Sequence, residues 1–304
     1  MPHKGKGAVF PLPGRRLPEL FCPITLCTRR FAVKRNNIPI FFLLTLMLLG
    51  LAACETVPIT GRSQFNIVSD ASIASLSLQQ YQEFIGQAKL SPNASQTALV
   101  KRVGVRIQRA VEQYLTQNCM ADQIKDYKWE FNLVEDKQIN AWAMPGGKVV
   151  VYSGMLPIVE DEAGLAVVVG HEVAHVIARH GNERMSHELA RQMGGVALST
   201  ALSSSPAATQ QLAMQVFGIG SQVGVMLPFS RLHEAEADRL GLIFMAMAGY
   251  DPHKGLVVWQ RMAAQKGGST PEFLSTHPSD ETRIRKIQTY IPEAMRYYRP
   301  ATTY

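Results

Sequence analysis

The residues best equipped for chemistry are His171-Glu172-Val173-Ala174-His175, set inside an apolar run that extends from Leu165 to Ala178. On an α-helix, positions four apart stack one turn above the other, so His171 and His175 can aim an imidazole nitrogen at one metal ion. Glu172 sits about 100° around the helix from His171; it is poorly placed as a third ligand but can reach a water bound to that metal. Two neutral nitrogen ligands and one carboxylate base make the division of labour of a zinc hydrolase. Asp161 and Glu162 put negative charge at the helix N-terminus, and His180-Gly181 supply a C-terminal stop. The bland alternative is a buried helix with two incidental histidines.

A catalytic zinc takes three protein ligands and keeps one position open. Downstream, Arg231-Leu-His-Glu234-Ala-Glu236-Ala-Asp238 reads as a second helix. Glu234 and Asp238 share a face, while Glu236 projects elsewhere. Glu234 is therefore expected as the third ligand, and Asp238 as the carboxylate that accepts a hydrogen bond from a ligand histidine and fixes its tautomer. Taken alone, this acidic cluster reads equally as a solvated helix face.

With both motifs in hand, the chain resembles the Ste24-like zinc metallopeptidases of the M48 family, and within them the periplasmic lipoprotein branch. The blocks that carry the resemblance are Val57 to Asn66, Asn140 to Gly154, His171 to Gly181, Glu234 to Gly241, Gly249-Tyr-Asp-Pro252 and Ser275-Thr-His277-Pro278. They span roughly residues 55 to 290. His233 departs from the pattern, which more usually has arginine before the ligand glutamate. The resemblance implies an α+β, mostly helical, gluzincin-like metallopeptidase domain with a small β-sheet beside the active-site helix, one Zn2+ per chain, and a third histidine, His277, near the metal. His277 is then expected either to donate to the oxyanion of the tetrahedral intermediate or to occupy the open zinc position in a self-inhibited state. Its alternative is a loop histidine that caps a helix.

The N-terminus carries a different message. Lys34-Arg35 precede sixteen mostly apolar residues, Ile38 to Ala53, and then Cys54. That run is short for a membrane span, which needs about 20 residues, and fits a secretory leader. Leu51-Ala-Ala-Cys54 resembles a bacterial lipobox, implying cleavage before Cys54, lipidation of its sulfur and a membrane anchor; Glu55 after it leans toward the outer membrane. The alternative is an uncleaved N-terminal anchor. Residues 1 to 32 exceed what a leader needs, which suggests a true start near Val33.

Charge and cysteine usage agree that the leader is a separate entity. Residues 1–53 hold 8 of the 31 Lys and Arg but 1 of the 24 acidic residues, leaving 23 of each sign beyond them. The formal net charge of +7 thus belongs to the leader, and nucleic acid is excluded as a partner on charge grounds. Of Cys22, Cys27, Cys54 and Cys119, only Cys119 keeps a thiol in a mature lipoprotein, so no internal disulfide is available there. Cys119 is expected to be partly buried at a helix end.

The domain plan is a leader with lipobox over 1–53, a linker over 54–70, one zinc metallopeptidase domain over 71–298 and a tail over 299–304. Asp70 is expected to cap a helix to about residue 88, and Leu99, Val103, Ile107 and Val111 mark a second. Lys128 to Val134 alternates as a strand with Trp129, Phe131 and Leu133 on one face; Asn140–Met144, the turn at Pro145-Gly-Gly and Lys148–Tyr152 form a hairpin. Such a sheet can hold an extended peptide as an added strand, and Trp142 and Met144 either border that cleft or fill the core. Residues 182 to 228 read as a buried or site-covering helix pair broken at Ser203-Ser-Ser-Pro206, in preference to a membrane segment over Gln215–Leu227. Asp251-Pro252 and Ser279 open two further helices, the last ending near Tyr290 before Pro292.

The predicted reaction is endopeptidase hydrolysis with Glu172 as general base and acid. Location and resemblance imply unfolded or misassembled envelope proteins as substrates, outer-membrane assembly machinery as a partner, and a lipid-anchored site on the periplasmic face of the cell envelope. A chaperone-like client binder with latent proteolysis, and a zinc amidase acting on cell-wall peptide, are the alternative functions. His180, His187, His233 and His253 are expected at the surface or at helix ends.

Overall fold

In a computed structural model the described residues are 54–57, 60–265, 271–277 and 281–300, all within one compact unit spanning 49–304. The leader and its lipobox, Ser279 as a helix start, and residues 301–304 of the tail lie outside them, as does the side chain of Cys54.

Strands β1 (Cys54–Thr56) and β2 (Ser63–Phe65) pair antiparallel. Helices α1 (Asp70–Gln87) and α2 (Ala94–Gln117) follow, capped by Ser69 and Asn93, whose side chains accept from the amides of Ser72 and Gln96. The cap of α1 is Ser69 and not Asp70, whose carboxylate is instead taken up by Asn182 and Arg179. The four-residue spacing on α2 is real burial: Val103, Ile107 and Val111 are fully enclosed. Cys119, beyond the C-cap of α2, is exposed and not partly buried as expected, and its φ of 58° lies in the left-handed region. An L side chain costs about 1–2 kcal/mol there. Cys119→Gly is expected to stabilise the protein by about 0.5–1 kcal/mol after the entropy cost of glycine, readable as a higher denaturant midpoint.

The sheet has the order β3-β5-β4, with β3 (Glu130–Val134) parallel to β5 (Lys148–Tyr152) and β4 (Ala141–Met144) antiparallel to it. The hairpin is present as expected, and β4 is one of the two outer strands of the sheet. Trp142 is half-buried against Phe84 and Tyr81, while Ala141, Val149 and Val151 face the main core. A short α3 (Leu156–Val159) leads to α4 (Glu162–Ile177), capped by Asp161, whose carboxylate accepts from Gly164 N at 2.7 Å.

Almost all of α4 is buried, which explains its continuous Leu-Ala-Val-Val-Val composition; it packs against α2, the sheet and α7 (Leu227–Met247). It ends before the expected stop: the break falls at Arg179, held at φ 55°, and α5 (His180–Ala201) starts at the next residue. α6 (Ala207–Ser221) runs back along α5 after a turn at Leu202–Pro206, and a five-residue π segment, Gln222–Met226, joins it to α7. The helix pair exists, but it is not buried: α6 has no buried residue, and Met193, Val196, Leu212, Val216 and Ile219 are exposed. Among the described residues, Ala207–Met247 is the one helix long and apolar enough to cross a membrane by length and composition.

The chain closes with α8 (Lys254–Ala264), α9 (Glu272–Thr276) and α10 (Glu281–Ala294). α10 does not stop at Tyr290: Pro292 sits inside its last turn, where a missing amide costs a single helical bond.

Candidate metal centre and active site

α4 and α7 touch backbone to backbone. A Cβ on Gly170 would lie 2.9 Å from Gly241 O, and one on Gly241 would lie 2.8 Å from His171 N, so neither position has room for a side chain. Glu234, Asp238 and Gly241 recur at four and three residues along α7 and so face α4 together. The close crossing brings these carboxylates to the histidines one helix away. Gly241→Ala must push the helices apart; we expect about 1–3 kcal/mol of destabilisation and weakened metal retention, checked by unfolding midpoint and by zinc titration.

His171 and His175 stand with their Nε2 atoms 3.1 Å apart. Glu234 reaches both, Oε2 to His171 Nε2 and Oε1 to His175 Nε2, each at 3.4 Å. His277, which follows α9, brings Nδ1 to 3.0 Å from both Glu234 oxygens and 3.2 Å from His171 Nε2. The segment carrying it is tied to the sheet by Phe273 N donating to Ile139 O, just ahead of β4. These four residues offer one donor atom each, all within 4.8 Å of one another. Three imidazoles and a carboxylate converging at that spacing, in a pocket with little water access, suit zinc by ligand type.

Glu172 is 4% exposed and stands beside the quartet without joining it. Its Oε1 is buried with no hydrogen-bond partner among the described residues and lies 3.6 Å from His277 Nε2. Burial raises its pKa above the usual carboxylate range. A partnerless buried oxygen next to four convergent donors is the mark of a site built to hold something more than protein, so the residues fit a metal and a water. Asp238 Oδ1 lies 3.1 Å from His171 Nδ1, on the ring edge away from the quartet.

The sequence reading missed Arg283. It is buried on α10, grips Asp238 through Nε and Nη2 at 2.8 Å each, approaches Glu234 at 3.1 Å and donates to His277 O at 3.1 Å. Its guanidinium stacks 3.6 Å over Trp259. Burial works against Asp238 ionising, yet Arg283 and His171 hold its pKa below the usual range. A signal did exist: Arg283 falls in register with Ile287, Ile291 and Ala294, the buried stripe of α10.

Two of the lesser histidines are buried, His233 against expectation and His180 although it stands, as expected, at a helix end. His253 is exposed at the N-cap of α8, and His187 is half-buried against Phe65. His180 and His233, however, are 3% and 6% exposed, their rings stacked with centroids 4.2 Å apart. The left-handed turn at Arg179 folds His180 back beneath His175, Nδ1 to Nδ1 at 2.8 Å. Burial lowers the His180 pKa to about 4, keeping the ring neutral. Glu236, which projects away from the quartet as expected, receives His180 Nε2 at 3.0 Å.

One cleft opens onto this arrangement. It is lined by Asn140 to Ala143 and Pro145 of the sheet edge, by Asn182, Arg184 and His187 of α5, by Met226 and Ser230, and by Glu172, His175, Glu234 and His277.

Comparison with known proteins matches residues 105–291 to the model of Peptidase family M48. The mitochondrial metalloendopeptidase OMA1 of Schizosaccharomyces pombe is 36% identical over 244 residues, covering 79% of this chain and 67% of that protein. Human metalloendopeptidase OMA1 is 30% identical over 80% of this chain, which spans 47% of the human protein. The beta-barrel assembly-enhancing protease of Yersinia pestis is 32% identical over 51% of this chain and 33% of its own length.

Proposed function

The chain belongs to peptidase family M48 and is a zinc-dependent metalloendopeptidase, and from that premise we propose that it cuts unfolded or misassembled proteins of a bacterial cell envelope. The observation that carries the reading is the buried Glu172 oxygen, without a hydrogen-bond partner among the described residues, beside His171, His175 and Glu234 in a cleft lined by a sheet edge.

His171, His175 and Glu234 would hold the ion. When bound, zinc supplies a Lewis acid that polarises the scissile carbonyl and makes water easier to deprotonate. Glu172 takes the proton of the attacking water and later delivers one to the leaving amine; its raised pKa suits both directions of transfer. Asp238 Oδ1 stands 3.1 Å from His171 Nδ1, placed to draw the ring proton to that edge and leave the Nε2 lone pair for the metal, and Arg283 keeps Asp238 ionised for that task. The outer strand β4 can take an extended peptide as an added strand. That requirement for extended chain selects unfolded substrates over folded ones.

His277 serves as a plug: its Nδ1 stands among the donors, where a substrate carbonyl must come, and it has to swing away before catalysis. Once displaced, it is within reach to donate to the oxyanion. The same observation supports the second reading, a chaperone-like binder of clients whose proteolysis stays latent.

The finer assignment is to the Ste24-like, periplasmic lipoprotein branch of the family, with the protein lipid-anchored through Cys54, most simply at the outer membrane. The name of the Yersinia pestis relative, a beta-barrel assembly-enhancing protease, supports machinery that assembles β-barrel proteins as a partner. The test is digestion of an unfolded outer-membrane protein by the detergent-solubilised full chain, with and without a chelator. Chelator-sensitive fragments support the endopeptidase; client binding without fragments moves the latent binder forward. A mass increase on the Cys54 peptide tests the anchor.

A further inference from the structure

Behind the metal quartet, on the far edge of the His175 ring, lies a second polar cluster that the mechanism leaves unused. Its centre is Arg62, on the loop between β1 and β2. Arg62 donates through Nη1 and Nη2 to the two oxygens of Glu183 at 2.8 and 2.7 Å, and through Nε to Glu236 Oε2 at 3.0 Å. Thr60 also donates to Glu236, and Gln64 to Glu183 and to Ala178 O. The loop is closed by Val57 N donating to Arg62 O and Gly61 N to Val57 O, with Val57 1% exposed. Residues 54–70, expected as a linker, therefore contain a strand pair whose intervening Thr60 and Arg62 bond to Glu183 and Glu236 of the helical body.

With the His180 ring neutral, the hydrogen bonds in this cluster take one direction. A carboxylate accepts, so His180 Nε2 carries its proton and donates to Glu236. In a neutral ring the other nitrogen is then bare, so His180 Nδ1 must accept from His175 Nδ1 at 2.8 Å. His175 is left with its lone pair on Nε2, the atom that faces His171 and Glu234. The chain Arg62 to Glu236 to His180 to His175 thus selects the tautomer that a metal requires. Rotation of Glu236 away from His180 would remove that selection, and the fork of Arg62 between Glu183 and Glu236 is what opposes such rotation.

We propose that Arg62 is a positioning residue for His175, so that docking of the β1–β2 loop and readiness of the metal site are a single event. This rests on the zinc reading above.

The experiment measures zinc affinity of the full chain in detergent by competition with a chromophoric chelator, alongside the unfolding midpoint of the zinc-free protein. Arg62→Met and Glu236→Gln are each expected to weaken zinc about 10- to 100-fold, the range for residues that orient ligand histidines. Their double variant should lose little beyond the worse single one, because both act through His180. Arg62→Lys should not restore the affinity, since a point charge cannot bridge both carboxylates. Zinc affinity within twofold of the unmutated chain, with only the zinc-free midpoint lowered, overturns the proposal and leaves Arg62 as a staple for the hairpin. Additive losses in the double variant overturn it as well. If Arg62→Met does not fold, Glu236→Gln, which preserves volume, carries the same comparison with Thr60→Val as its partner. An unmutated chain that binds no zinc sinks the underlying metal reading instead.

Discussion

Glu172→Gln is expected to lower kcat by about 10²- to 10⁴-fold while leaving zinc affinity and KM close to their original values. The replacement keeps the shape of the side chain and removes only its capacity to take a proton. Because Glu172 stands outside the four-donor group, the ion should be held as before. Substrate binding draws on the sheet edge and cleft walls, so the loss should appear in kcat. Stability should move the other way. The original carboxylate is buried with one oxygen unpartnered, and removing that charge relieves a desolvation cost, so the zinc-free variant should unfold at a higher temperature than its parent. Kinetics on an unfolded substrate and a thermal scan test both halves. More than a tenth of the original kcat in the Gln variant would sink the assignment of Glu172 as the base.

The second large effect concerns Arg283→Leu. Arg283 neutralises Asp238 through two hydrogen bonds, meets Glu234, holds His277 O and stacks on Trp259, all in a buried setting. Removing one partner of a buried pair strands the other, which costs about 3–5 kcal/mol. In addition, Asp238 without Arg283 no longer stays reliably ionised beside His171, and the Nδ1–H of that ring loses its acceptor. Activity is therefore expected to disappear together with stability. Arg283→Lys should recover little of either, since lysine offers neither the paired hydrogen bonds nor the planar face. Chemical unfolding of the zinc-free forms is the check; a change below about 1 kcal/mol for the Leu variant would show that Asp238 is satisfied by other means.

How much of this was legible in the sequence depended on how far apart the partners lie along the chain. His171, Glu172 and His175 share one helix, and helical geometry alone predicts their relation. Glu234 and Asp238 were reachable because their spacing repeats that geometry and a catalytic zinc demands another ligand. The strand alternation from Lys128 and the Pro145-Gly-Gly turn foretold the sheet, down to β4 and β5 as a hairpin. What escaped were contacts closed by distant segments. Arg62 meets Glu183 across 121 positions, and His171 meets Arg283 across 112. His180 does stand at a helix end, the first residue of α5, but its burial escaped because an arginine in the left-handed region, the turn that folds it inward, is uncommon for that residue type. The helix pair after it was expected as buried or site-covering; Asn182, Arg184 and His187 of its first helix do line the cleft, but its apolar second helix has no buried residue, since apolar composition indicates a preference and not a neighbour. The pair's exposed Val196, Leu212 and Val216 show the difference.

The glycine-to-glycine crossing of α4 and α7 bears on how a substrate can enter. Two helices in backbone contact have no side chains between them to compress or rotate, so that wall of the site behaves as a fixed jaw. His171, His175 and Glu234 all belong to the fixed jaw. His277 hangs on a separate, five-residue helix, tied back to the sheet by Phe273 N and Ile139 O. Widening on the His277 side can therefore admit a polypeptide while His171, His175 and Glu234 keep their spacing behind it.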